Sequence, residues 1–265
     1  MADQAQEWAE ETLAVAGTEL TLISGGSGRP LLVLHEELGH PGWFKWHAAL
    51  AANRRLLIPQ QPGFGKSPKL DWTRSIRDLA AFYSRVLRER ELVPIDVIGF
   101  SLGGWIAAEM AANHAGQFSR MILVGATGIQ PPRGEIKDLF IRTSRKYLDE
   151  SVLNPSRTPE FATLYGGEPT PEQFEAWEDA RAEVARLAWS PYLFNPSLPY
   201  LLQGVSGLPT LLIWGAQDEV VPPSAGEVYS ESIEGARLVV LEQCGHRPEI
   251  EQSSEFIKTV QQFLG

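Results

Sequence analysis

The sequence predicts an α/β fold: a mostly parallel central sheet of about eight strands, helices on both faces and an inserted helical cap. Three observations carry that expectation. Six apolar runs, at residues 31–34, 55–58, 95–100, 121–125, 210–215 and 237–241, are continuous rather than alternating, as in strands buried on both faces. Helical patterns stand between them at 43–52, 75–90, 102–114, 224–233 and 253–264, and parallel neighbours need such crossovers. One interval, 128–207, is much longer than a crossover requires.

In chain order, strand-like runs at 12–16 and 19–23 surround Gly17-Thr18 and read as an opening hairpin. Gly25-Gly26-Ser27-Gly28 then turns the chain; no Gly-Lys-Ser/Thr follows and Pro30 opens a strand, so this is a turn rather than a phosphate loop. The strand and helix runs alternate from residue 31 to the interval 128–207, which holds one clear helix, 171–189, with Thr170 as N-cap and Pro171 at the first helical position. Aromatic residues are dense there, including Tyr147, Tyr165, Trp177 and Trp189. Most are expected to form that segment's own small core and a few to line a pocket. The expected division is a core of 1–127 and 208–265 with a helical cap of 128–207, placed over the strand ends where open α/β sheets bind ligands.

The chain has 265 residues, enough for one large domain with an insertion. Its 23 basic against 33 acidic residues argue against gripping phosphate backbones or anionic lipid, so no nucleic-acid or membrane partner is expected. Cys244 is the sole cysteine, which excludes an intramolecular disulfide and a thiolate metal cluster; it reads as a packing residue. The polar, acidic N-terminus lacks a basic region followed by an apolar one, and no apolar run is long enough for a bilayer, so a soluble cytoplasmic protein is expected.

The chemistry gathers around Gly99-Phe100-Ser101-Leu102-Gly103, which fits the Gly-x-Ser-x-Gly pattern of a nucleophile elbow. The strand before it and the helix after it supply the context, because the serine must sit on a tight, strained turn between small neighbours. The N–H of Leu102 then lies at a helix N-terminus, where developing negative charge is favoured. A serine hydroxyl also needs a base oriented by a carboxylate. His246, in the loop past the last strand, is the candidate base, whereas His47 and His114 sit on helical patterns and read as packed or solvated. Asp218, in the loop after run 210–215, is the candidate carboxylate, with Glu219, Asp138 and Glu135 as alternatives.

With these residues the chain resembles capped members of the α/β-hydrolase superfamily, such as serine esterases and meta-cleavage-product C–C hydrolases. The resemblance rests on the elbow, on Pro62-Gly63-Phe64-Gly65-Lys66-Ser67, on Trp214-Gly215-Ala216-Gln217-Asp218 and on Gly245-His246, and runs from residue 31 to 264 with 128–207 diverged. It implies a triad of Ser101, Asp218 and His246 in the family's order. It also implies an oxyanion hole completed by the backbone N–H of Glu37, with Glu36 as runner-up, beside that of Leu102. His35, Glu36, Phe100, Trp177 and Trp189 are the further residues expected to line the pocket. No cofactor or metal is called for, and the serine excludes the aspartate nucleophile of epoxide hydrolases and haloalkane dehalogenases.

Two departures stand out. The family usually continues the first parallel strand with His-Gly, whereas this chain has His35-Glu36-Glu37. Carboxylates beside a forming oxyanion would repel it, so their side chains are expected to turn to solvent. The family also usually carries an aspartate before Pro-Gly, where this chain has Gln60-Gln61 before Pro62; a structural carboxylate moved to Glu36 would preserve the charge. His35-Glu36-Glu37-Leu38-Gly39-His40 differs from a zinc His-Glu-x-x-His motif in spacing, and Gly39 and Pro41 deny it a helix, so His35 reads as a structural loop histidine.

The leading expectation is a serine hydrolase acting on a small-molecule ester or related acyl compound, disfavouring anionic substrates if the acidity lies near the entrance. C–C bond hydrolysis of a vinylogous diketone is the alternative. A weakly catalytic ligand-sensing protein of the same fold is a third reading, supported by the unusual His35-Glu36-Glu37.

Overall fold

The computed structural model describes residues 8–265, so the reading of the N-terminus at residues 1–7 lies outside the described residues. The chain opens with a hairpin of β1 (Trp8–Val15) and β2 (Thr18–Gly25), turning at Ala16 and Gly17, both at positive φ. β1 begins four residues before the expected run because Trp8 to Glu11 pair through their backbone with Gly25 to Leu22 and are mostly exposed. An edge strand of that kind carries little apolar signal.

The alternating part follows as β3 (Arg29–Leu34), α1 (Lys45–Ala51), β4 (Arg54–Pro59), α2 (Ile76–Glu89), β5 (Ile95–Phe100), α3 (Leu102–His114) and β6 (Phe118–Val124). The interval then holds four helices, α4 (Ser144–Ser151), α5 (Pro159–Tyr165), α6 (Pro171–Ala188) and α7 (Leu198–Leu202). Only α6 was legible in the sequence; its Thr170 accepts from Gln173 N in a full capping box, with Pro171 at the first position. The other three are too short to develop a helical period. The chain closes with β7 (Thr210–Gly215), α8 (Pro223–Ser232), β8 (Arg237–Leu241), α9 (Pro248–Glu251) and α10 (Ser253–Leu264).

The eight strands form one sheet in the order β1-β2-β4-β3-β5-β6-β7-β8, parallel except at β1–β2 and β2–β4. β3 to β7 are buried almost throughout, which is why their sequences are continuous apolar runs. α1 packs on α10 at one face, and α2 on α3 at the other. Apolar residues cover both sides of α3, whose first ten residues are all buried.

This order fixes where a site can form. From β3 the chain winds one way to β4, and from β5 it winds the other way to β6, so the C-terminal ends of β3 and β5 flank a switch point. β3 and β5 pair directly, Leu34 opposite Gly99, which brings residues 35–37 beside residue 101. Among the described residues, no helix is long and apolar enough to cross a membrane.

Candidate active site

Ser101 sits between β5 and α3 with φ 46° and ψ −110°. Its N–H donates to Val124 O at 2.9 Å and its carbonyl accepts from Trp105 and Thr127 N–H at 3.2 Å, so the backbone holds the strained turn from three sides. A Cβ on Gly99 would lie 2.5 Å from Gly103 O, and one on Gly103 only 2.2 Å from Leu34 O. The elbow therefore needs both glycines, as the motif implies. Ser101 is 1 % exposed, and its Oγ has no well-formed hydrogen bond within the protein.

Asp218 and His246 meet across the ends of β7 and β8. His246 Nδ1 lies 2.8 Å from Asp218 Oδ2, while Asp218 Oδ1 accepts from Val220 and Val221 N–H at 2.9 Å each. With its Nδ1 proton donated to Asp218, the ring presents Nε2 for chemistry. The alternatives for the carboxylate lie elsewhere: Glu219 is largely exposed against Lys137, Asp138 accepts from Phe140 N–H, and Glu135 is exposed. Gly125, at φ 51°, leaves room for the imidazole, since a Cβ there would lie 2.9 Å from His246 Nδ1. Burial alone would depress the His246 pKa, but the Asp218 charge and hydrogen bond, with the Glu37 charge, outweigh it and push it up to about 9.

The side chains of Glu36 and Glu37 point inward, which corrects the expectation that they face solvent; Glu37 is 1 % exposed. Glu36 Oε1 pairs with Arg247 Nη1 at 2.7 Å. Gln60, at the position where the family usually carries an aspartate, accepts from Lys66 N–H, and Glu36 serves Arg247. Glu37 Oε1 accepts from the Tyr147 hydroxyl at 2.5 Å, and Oε2 has no well-formed partner. Burial pushes the Glu37 carboxyl up, yet the His246 charge, the Ser101 and Tyr147 hydroxyls and its own backbone N–H together hold it below the usual range. This carboxylate thus acts on both the His246 imidazole and the Ser101 hydroxyl.

His35 is a structural residue of the same loop: Nδ1 bonds Glu36 O at 2.7 Å and Nε2 accepts from Gln61 N–H at 2.9 Å. Burial lowers its pKa to about 4, keeping it neutral. His47 is buried against Trp46, and His114 is exposed at the end of α3. Cys244 is fully buried beside Glu251, as a packing residue would be. His35 and Trp177 line a cavity of about 180 Å³ with Leu38, Gln60, Phe64 and Tyr165. Phe100 borders a smaller one with Glu36 and Arg247. Trp189 is 57 % exposed against Phe140 and Tyr192, apart from both cavities, because it stands at the end of α6.

The sequence reading missed four residues that shape the site. Tyr147 on α4 holds Glu37, and Ser151 at the end of α4 accepts His246 N–H at its carbonyl and Arg247 Nε at its hydroxyl. Glu251 accepts the N–H groups of Gly245, Arg247 and Leu153, and so fixes the histidine loop. Arg247 also stacks on Tyr165, 5.4 Å from the ring centroid. Arg247 is the one with a visible signal, a cation directly after the candidate base.

A family model described as the alpha/beta hydrolase family matches residues 24–259. The chain is 28% identical to a 2-hydroxymuconate semialdehyde hydrolase of Pseudomonas sp. (strain CF600), over 95% of this chain and 92% of that protein. It is 27% identical to a pimeloyl-(acyl-carrier protein) methyl ester esterase of Aeromonas hydrophila subsp. hydrophila, over 91% of this chain and 97% of that protein. Among solved structures, a bacterial membrane phospholipase A superposes with a TM-score of 0.81 at 25% identity, covering 97% of this chain and 86% of that one.

Proposed function

The chain belongs to the alpha/beta hydrolase family, and from that premise we propose that it is a serine hydrolase cleaving a carboxylic ester or related acyl substrate through an acyl-enzyme. The observation that carries the reading is the bonded Asp218–His246 pair at the same sheet edge as a serine held at φ 46°. His246 Nε2 takes the Ser101 proton as Oγ attacks the carbonyl carbon. Asp218 holds the tautomer and stabilises the imidazolium. The N–H groups of Leu102 and Glu37 receive the oxyanion, each contributing about 3 kcal/mol in sites of this kind. The imidazolium then gives its proton to the leaving alkoxide. Water, deprotonated by His246, attacks the acyl carbon, and the proton returns to Ser101 as the acid leaves.

Residues 128–207 form the cap over a core of 1–127 and 208–265 in this reading, supported by Tyr147 and Ser151 reaching the site from α4. C–C bond hydrolysis is the second reading, favoured by the relative named for hydroxymuconate semialdehyde. No metal or cofactor enters either scheme.

The test is a panel of phenyl esters of graded acyl length, run beside a meta-cleavage ring-fission product, on the wild type and Ser101→Ala. Ester turnover that disappears in Ser101→Ala, together with fluorophosphonate labelling of the wild type alone, is the expected result. Preference for the ring-fission product would favour the C–C reading, and an unlabelled wild type would sink both.

A further inference from the structure

Resting on the acyl-hydrolase reading, we propose that Glu37 is a specificity-determining residue that selects acyl groups carrying a hydrogen-bond donor, best an ammonium, one or two carbons from the carbonyl, and rejects acyl groups carrying a carboxylate there.

Glu37 follows β3, which pairs with β5, so its backbone lies beside the elbow, and the Ser101 hydroxyl and the His246 charge both act on its carboxyl. It is buried, Oε1 is occupied by Tyr147, and Oε2 has no well-formed partner. A buried carboxylate oxygen whose nearest donor, the Ser101 hydroxyl, makes no well-formed hydrogen bond to it is a costly arrangement. The Ser101 hydroxyl is within its reach and helps hold the group in its ionised form. Acylation of Ser101 removes that hydroxyl donor, and the first acyl carbons beyond the carbonyl then lie beside the oxygen it served. A donor there completes the hydrogen bonding of Oε2, and a carboxylate there meets a like charge.

Charge balance gives the same answer. Arg247 is the nearby permanent cation, and Glu36 answers it at 2.7 Å with Glu249 beside it, so it does not neutralise Glu37. In the tetrahedral intermediate, Asp218 and the imidazolium cancel, leaving Glu37 and the oxyanion as adjacent negative charges. A substrate ammonium removes one of them, and a substrate carboxylate adds a third. The acidity at the elbow, a liability for a neutral ester, is thereby turned into recognition of a cationic one.

Three phenyl esters of nearly equal shape test this: alanyl, isobutyryl and methylmalonyl, followed by phenol release with the wild type, Glu37→Gln and Glu37→Asp. The wild type should prefer alanyl over isobutyryl, and isobutyryl over methylmalonyl, by about tenfold in kcat/KM at each step. Glu37→Gln should compress both gaps, with a net gain on the methylmalonyl ester, and Glu37→Asp should keep the order. A Glu37→Gln variant that is folded by thermal melting and changes all three esters by one common factor overturns the proposal. A protein that hydrolyses none of them while Ser101 is labelled by a fluorophosphonate refutes ester hydrolysis alone. Charge selection is then read from protection of Ser101 against labelling, where butylammonium should protect at lower concentration than butyrate. Equal protection overturns the proposal, and an unlabelled Ser101 overturns both.

Discussion

Two carboxylates act on the same imidazole from different parts of the chain, and they are held in opposite ways. Asp218 is tied down by its own loop: two backbone N–H groups take Oδ1 and His246 takes Oδ2. Glu37 is held by a phenol from α4, a segment remote in sequence, and keeps one oxygen without a well-formed partner. Equal charge therefore comes with unequal freedom. A carboxylate locked by backbone suits a fixed orienting role, whereas one held by a distant side chain can exchange partners when a substrate arrives.

The sharpest way to break the contrast is to neutralise the fixed member. Asp218→Asn keeps an oxygen for Val220 and Val221 but can present an amide to Nδ1, favouring the wrong tautomer. The expected result is a fall in kcat of roughly 10³–10⁴-fold with KM changed little. Phenyl ester kinetics with a melting curve for the variant check it; a loss below tenfold would remove Asp218 from the orienting role.

The pH profile measures how both carboxylates bear on His246. Burial lowers its pKa, and Asp218 and then Glu37 raise it, to about 9 against an ordinary 6.5. With the free imidazole as the proposed base, kcat/KM for a neutral ester should rise with pH along a limb well above 6.5. Glu37→Gln removes one anion and should move that limb to lower pH, by about one unit, or about tenfold in rate at neutral pH. Stability runs the other way: because the folded pKa is the higher one, the pairing stabilises fully below 6.5 and is lost as pH rises through about 9. Coincident limbs in wild type and Glu37→Gln would show that Glu37 does not tune the imidazole.

What the sequence discloses follows the same divide. β3 to β7 announce themselves because burial on both faces forces apolar runs, and Ser101, Asp218 and His246 because each sits in a short motif fixed to a strand end. The short helices α4, α5 and α7 leave no period to read, so Tyr147 and Ser151 carried no mark of reaching the site. The inward turn of Glu36 and Glu37 was equally invisible. Solvent is the cheaper place for a carboxylate unless it finds partners, and theirs, Arg247 and Tyr147, lie 211 and 110 positions away in the chain. The departure from His-Gly located the anomaly, and only the tertiary partners give its direction.

Tyr147→Phe probes the looser member with the smallest expected effect. It deletes the phenol that donates to Glu37 Oε1 and leaves the ring to fill its fully buried place. A buried carboxylate that loses one donor costs about 1–3 kcal/mol, read as a shift in the urea midpoint at neutral pH. Burial pushes Glu37 up while His246, Ser101 and Tyr147 bring it below its ordinary 4.5, so its stabilising contribution is present above that value and is lost as pH falls through the folded pKa. The wild type and Tyr147→Phe should therefore differ most near neutrality and converge in acid, once the carboxyl is protonated in both. A difference that stays constant across that range would place the loss in packing alone, and Glu37 would then be as fixed as Asp218.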